Sequence, residues 1–485
     1  MADGRGRDPC QRAAAADVKA ARGLGHKIGA GIHTQGRRME RTDAAGKSAW
    51  CGAILALIVA WGAPARAAEY LELTDLRLID GTGAGERRVA RLIARDGVIV
   101  AIDAQGAVPV PEADARWTRI GLDGAWVTPG LIETHAHVAR FPDTRNEAQR
   151  LLQQAARGGV TGVRDLGGDA RALADIARSL QAREWIGPHL SYSAMFGGPA
   201  LFESGPTAAL APGHAPGAAP WSRKIEAGTD LSEAVAQAQG SGADNIKVYG
   251  DLSPAQARGL IEQARRRGLR STAHATVFPT RPSELVEAGI GTLSHSPYLV
   301  WEAVDTVPAD FKMRTQGPWK RVPPDHPRLL ALYRRMAERG VFLDSTLYVY
   351  RSMKRYSAQI RADWADEAFA WGAKATAIAR REGVRVTAGT DWFEPDYGET
   401  LPHTHDELAL LVEFSGFTPM QALLAGTRDG AAALGLQDAT GTVEVGKSAD
   451  LMVLDADPLA DIRNTRKLRM TVRGGQVLLP QVPQR

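Results

Sequence analysis

The distribution of apolar and polar positions divides the chain into three parts. Residues 70–79 and 89–102 form short apolar strand-like runs, the second broken by the hairpin signal Asp96-Gly97. The far end repeats this texture, with short runs at 443–445, 450–455 and 470–478 and a Gly474-Gly475 turn. Between these ends, apolar runs of strand length alternate with stretches of helical period. The strands are predicted at 125–135, 159–166, 189–196, 245–249, 269–275, 291–296, 342–347 and 384–390. One helix is marked in full: Ser253 as N-cap, Pro254 in the first turn, Leu260, Ile261 and Ala264 on one face, and Gly268 as the stop.

Eight strand–helix units predict a (β/α)8 TIM barrel. The two β-rich ends predict one small β-sandwich built from both termini of the chain. A doubly wound open sheet is the competing architecture, but no Gly-rich phosphate-binding turn follows the first strand. Two stretches fall outside the repeat: 197–228, rich in Gly, Pro and Ala, and 300–327, with Trp301, Trp319 and several prolines. Long connections after barrel strands lie at the catalytic face, where they form lids or substrate walls, or else are plain surface loops.

The N-terminus has a different character. From Met39 the pattern is that of a secretory signal: Arg41 and Lys47 are basic, 49–62 is apolar, and Ala65-Arg66-Ala67 is a small-x-small cleavage site. The expected division is 1–38 as an over-extended or disordered N-terminus with translation starting at Met39, and 39–67 as signal peptide. Then come 68–126 as the first part of the sandwich, 127–438 as the barrel and 439–485 as the second part. The expected location is periplasmic or secreted, with cleavage after Ala67 and no stable membrane association afterwards. An uncleaved anchor is the alternative.

Composition then removes options. The net charge of +4 is local: residues 1–67 carry eleven Lys/Arg against five Asp/Glu, leaving the remainder at −2. That balance gives no reason to expect nucleic acid as a partner. A small-molecule substrate is expected instead, and a homo-oligomer is compatible with the sequence. Both cysteines, Cys10 and Cys51, lie in the leader, so any metal in the remaining chain must be held by histidine and carboxylate-type ligands.

The ends of the predicted strands carry the candidate chemistry. The first ends in His135 and His137, the fifth in His274, the sixth in His295 and the eighth in Asp391. A His-x-His also occurs by chance, but on a strand its two imidazoles point to one side. Four histidines and a carboxylate converging on one barrel mouth suit Zn²⁺ or a similar divalent ion. The fourth strand contains Lys247 in an otherwise apolar run, either reaching solvent or an acid, or converted by CO₂ into an anionic carbamate able to bridge two metals. Tyr249 and Tyr298 are candidate pocket residues, or else packing aromatics. In the second His-x-His, His405 is a candidate substrate contact and His403 is expected to be solvated; both are equally readable as loop and helix-start residues. Arg164-Asp165 is expected to form a structural ion pair.

The segments VTPGLIETHAH, GVTGVRDLGG, GADNIKVYGDLS, TAHAT, GTLSH, AGTD and GTVEVGKSADLMVLD, in this order, resemble the amidohydrolase superfamily. The resemblance covers residues 70–480 and is nearest to its imidazolonepropionase-like and prolidase-like branch. It implies a metal held by His135, His137 and Asp391, a second held by His274 and His295, and carbamylated Lys247 bridging the two. The sequence departs from many relatives after the fifth- and sixth-strand histidines, with Ala275-Thr276-Val277 and Ser296-Pro297-Tyr298, so the adjoining wall is its own.

The expected function is a metal-dependent amidohydrolase with two divalent ions, Zn²⁺ in the first instance. A metal-activated water would cut a C–N bond of a small amide, a dipeptide such as Xaa-Pro, or a cyclic amide. Asp391 would serve as both ligand and proton shuttle. An esterase, lactonase or carbamate hydrolase would need the same metal site, and a non-catalytic binding protein of the same fold is the alternative of another class.

Overall fold

The computed structural model describes residues 67–106, 114–139, 144–203, 210–356, 363–391 and 401–481. The leader features at 1–66 lie outside the described residues, and residues 65–485 form one compact unit. No helix among the described residues is long and apolar enough to cross a membrane.

The strands in chain order are β1 (Glu69–Leu78), β2 (Arg87–Arg95), β3 (Val98–Ile102), β4 (Gln105–Gly106), β5 (Arg116–Pro129) and β6 (Leu131–Ala136). Then follow β7 (Val160–Asp165), β8 (His189–Gly197), β9 (Ala218–Ala219), β10 (Ser222–Lys224), β11 (Asn245–Val248) and β12 (Arg270–His274). The last six are β13 (Thr292–Ser294), β14 (Phe342–Asp344), β15 (Val386–Thr387), β16 (Leu451–Leu454), β17 (Leu468–Arg473) and β18 (Gln476–Leu478).

Both ends of the chain enter one eight-stranded sheet, in the order β18-β17-β16-β5-β1-β2-β3-β4. Its core is fed by alternation along the strands. In β1, Leu71 and Leu73 face inward, and so do Leu76 and Leu78, because an irregularity at Asp75 (φ 53°) shifts the phase between the pairs. Two separate layers are not needed to cover this core, since the sheet curls back on itself. Ile99 N donates to Lys447 O, and Ala449 N donates to Gly97 O, both at 2.8 Å. The predicted strand at 443–445 is instead part of this closing loop, and Val445 is exposed.

The predicted strand 125–135 is in fact two, because its hydrogen-bonding partners change at Gly130. Pro129 and the residues before it pair with β16, whereas Leu131 N donates to Gly159 O at the start of the barrel. Apolar character runs through both pieces, so the pattern alone hides the join. A Cβ at Gly130 would sit 2.3 Å from the Thr161 side chain, so the hand-over needs glycine there.

The barrel runs β6-β7-β8-β11-β12-β13-β14-β15, all parallel, with most strands followed by helix. At the mouth β15 meets β6, where Asp391 N donates to His135 O at 3.0 Å. The helix read from the sequence is Pro254–Arg266, with a reciprocal Ser253–Gln256 capping box. The 300–327 stretch is an ordered wall. It begins inside the 3₁₀ helix Ser296–Ala303 and contains a second, Phe311–Thr315, and Trp319 Nε1 donates to Pro297 O at 2.9 Å.

Candidate metal centre

All six predicted ligands meet at the C-terminal end of the barrel strands. His135 Nε2 and His137 Nε2 each lie 3.1 Å from Asp391 Oδ1, and these three side chains form a cluster able to hold a metal ion. The rings of His135 and His295 are 5.0 Å apart, and those of His295 and His274 are 4.6 Å apart. Lys247 is fully buried on β11, next to this histidine row.

Three of the four rings, those of His135, His137 and His295, are each aimed by a specific partner. His135 Nδ1 is 2.8 Å from Asp344 Oδ2, and His137 Nδ1 is 3.1 Å from the Gly167 carbonyl. Both contacts place the ring proton on Nδ1 and turn the Nε2 lone pair toward Asp391. His295 Nδ1 meets the Thr346 hydroxyl at 2.9 Å. Glu133 ties the two strands of the cluster together, accepting from His135 N, Thr390 N and the Thr404 hydroxyl. His295 (φ 72°), Thr346 (φ 50°) and Asp391 (φ 56°) all hold left-handed backbone conformations, costing roughly 1–3 kcal/mol each, which the surrounding bonds must sustain. Gly389 allows the close approach: a Cβ there would lie 2.2 Å from Asp344 Oδ1 and 2.7 Å from His135 Cβ.

Burial and the neighbouring imidazoles together set the electrostatics of the site. Burial pushes Asp391 up, but His135 and His137 outweigh it and hold the carboxyl well below its usual range. Asp344 is likewise lowered, with burial overcome by His135 and Arg164. Burial pushes Glu133 up to about 8 and Lys247 down to about 7. Burial also holds His274 and His295 well below their usual value, so both rings are neutral. Lys247 Nζ and His274 Nδ1 are buried with no hydrogen-bond partner, a costly arrangement unless something else binds them. Orphaned nitrogens beside a His-His-Asp cluster fit a divalent ion.

The profile of the amidohydrolase family matches residues 126–478. The chain belongs to the amidohydrolase family. This amidohydrolase is 24% identical over 424 residues to an imidazolonepropionase of Mesorhizobium japonicum, covering 79% of its own length and 91% of the relative's. It is 23% identical over 437 residues to the ochratoxinase of Aspergillus niger, covering 80% and 81%. Among solved structures, a Xaa-Pro dipeptidase with bound methionine superposes with a TM-score of 0.65 at 17% identity, over 85% of this chain and 99% of that one. The amidohydrolase is thus a metal-binding hydrolase acting on amide C–N bonds.

Tyr249 lies 4.1 Å from the His274 ring, and Tyr298 lies 5.2 Å from the His295 ring, so both line the cluster. His405 does not. It is fully buried, with Nε2 2.8 Å from Gly158 O and Nδ1 3.0 Å from the Thr465 hydroxyl, at the start of β7 and thus at the opposite end of the barrel. It is a structural histidine, not a substrate contact. His403 is not solvated but buried, stacked 4.3 Å from Tyr348. Arg164 and Asp165 do not pair with each other, because adjacent strand residues face opposite ways. Arg164 Nε donates to Thr134 O, and Asp165 accepts from Val138 N and Gly167 N.

The sequence reading missed Glu133, Asp344 and Thr346. Asp344 ends the observed seventh strand, but the predicted strand ran on to 347, so the strand-end rule that found the histidines passed over it.

Proposed function

We propose that the protein is an exported, two-metal amidohydrolase cutting a C–N bond of a small amide, a dipeptide including Xaa-Pro, or a cyclic amide. One observation carries the two-metal reading: buried Lys247 Nζ and His274 Nδ1, both without partners, adjoin a complete His135–His137–Asp391 set. His135, His137 and Asp391 would hold one ion, His274 and His295 the other, and a carbamate on Lys247 would link them. Ions held there supply Lewis acidity, polarising the scissile carbonyl and lowering the pKa of water.

The chain's own groups do the rest. Asp344 and the Gly167 carbonyl fix the tautomers of His135 and His137, so neither ring needs to reorient during turnover. Asp391 Oδ1 faces those two rings, while Oδ2 is 3.9 Å from His295 Nδ1. With its side chain 22% exposed, Asp391 can meet substrate, take the proton of the attacking water and pass it to the leaving nitrogen. Export rests on the leader that ends in Ala65-Arg66-Ala67.

The test is a screen of metal-quantified protein against Xaa-Pro dipeptides, N-acyl amino acids, lactones and aryl esters. Cleavage of amides with two metals per chain is expected. Turnover confined to lactones or esters would replace the amide reading. For export, N-terminal sequencing of protein from a Gram-negative-type host is expected to begin near Ala68.

A further inference from the structure

Among the described residues, the wall of the cluster holds a cation that the predicted ligand set does not use. The 3₁₀ turn Phe311–Thr315 is pressed against the segment that follows β11: a Cβ on Gly250 would lie 2.5 Å from the Phe311 ring. Phe311 lies parallel to the His274 ring, 5.8 Å away, and 5.5 Å from Tyr249. The guanidinium of Arg314 lies over the Phe311 ring, 4.2 Å from its centre. Two such steps end to end bound its distance from a predicted metal ligand.

Arg314 is half-buried, and no carboxylate among the described residues pairs with it. Arg314 donates from Nη1 to Phe311 O at 3.3 Å and is also hydrogen-bonded to the Tyr298 hydroxyl, which leaves further guanidinium donors. Its charge acts on the hydroxyls of Tyr298 and Tyr350, whose rings lie 5.2 and 6.3 Å from that of His295. Cation, ring stack and two phenols therefore form one polar corner on an otherwise aromatic wall beside the ligands. A planar guanidinium held on an aromatic face, with no carboxylate partner among the described residues, suits a carboxylate.

Resting on the reading of the site as amide-cleaving, we infer that Arg314, with Tyr298 and Tyr350, receives a carboxylate on the half of the substrate released as the amine. The substrates are then dipeptides or N-acylated amino acids, not neutral or cyclic amides. In such molecules the carboxylate lies about one residue, ~3.6 Å, from the scissile bond, a span that fits a cation one ring removed from His274.

The test compares each free acid with its carboxamide, for instance N-acetylproline and N-acetylprolinamide, together with the matching leucine, phenylalanine and lysine pairs. Binding to the zinc-loaded full chain is read by calorimetry and turnover by amine release. Charge-assisted bonding predicts that the acids bind roughly 10- to 100-fold more tightly than the amides. Arg314→Met should bring that ratio to near one, acting through the KM of the acids, whereas Arg314→Lys should keep part of it. Equal binding of acid and amide by the parent chain overturns the proposal, and so does an undiminished ratio in Arg314→Met. If acids bind through Arg314 but no amide is cleaved, the subsite stands and the amide-cleaving reading fails.

Discussion

The chain contains two His-x-His pairs, His135/His137 and His403/His405, and the fold uses them in opposite ways. The first lies at the end of a strand, where a two-residue step returns to the same face, so both Nε2 atoms reach Asp391 Oδ1 at 3.1 Å. The second lies at the start of the helix Thr404–Ser415, where the same step turns the side chains well apart. His403 stacks on Tyr348, and His405 is sealed between Gly158 O and Thr465. Spacing acquires chemical meaning only through the element beneath it. The surroundings differ as well: the first pair is poised against unpartnered nitrogens, while His405 has both of its own engaged.

Breaking the first region should have the largest effect. Lys247→Ala should lose at least one metal and most activity, and short carboxylic acids should restore part of it by filling the vacated bridge. Lys247→Arg should fail too, because a guanidinium stays cationic. Metal content and turnover need measuring on the same folded sample. Two metals per chain at the parental rate would end the bridging role and leave a one-metal mechanism.

A smaller loss is expected one shell out. Asp344→Asn keeps the shape but no longer fixes the His135 tautomer, so metal affinity or activity should fall by about 10- to 100-fold. Titration with a competing chelator would measure it. An unchanged affinity would mean that Thr134 and Ser294, which also bond Asp344, suffice to hold the carboxylate for packing alone.

How much of this could be read from the sequence follows the same divide. Barrel strands declared themselves by apolar runs, and their last residues named the candidate ligands, because strand ends converge on one mouth. The join at Gly130 was invisible because it is a change of hydrogen-bonding partner, to Asp450 O and then Gly159 O, inside a continuous apolar run. Arg314 was invisible for a related reason. Its place depends on a 3₁₀ turn docking on Gly250 more than sixty residues earlier, and no local period encodes that contact. His405 misled because a buried polar histidine and a catalytic one look alike until their partners are seen.

Disturbing the second pair should spare chemistry and cost stability. His405→Ala leaves Gly158 O and Thr465 facing a cavity, a loss of about 1–3 kcal/mol. Thermal melting should show it, while kcat/KM per folded, metal-loaded molecule stays parental. A fall in kcat/KM with full metal occupancy would place His405 back in the substrate path.

The smallest effect is a slope with pH, and it separates the two pairs most sharply. Burial lowers His405 to about 4, against an unfolded value near 6.5. Below the unfolded value the unfolded chain binds a proton that the folded one refuses, so stability falls as pH drops from about 6.5 toward 4. From pH 7.5 to 5.5 this one group should remove on the order of 1 kcal/mol. His405→Gln, which can still donate to Gly158 O, lacks the titration and should lose that part of the slope. The measurement is the difference in melting temperature between the parent and the variant at the two pH values, since other groups titrate equally in both and cancel. A difference that does not change with pH would mean that the folded protein admits the proton, and that His405 is less sealed than its two bonds imply.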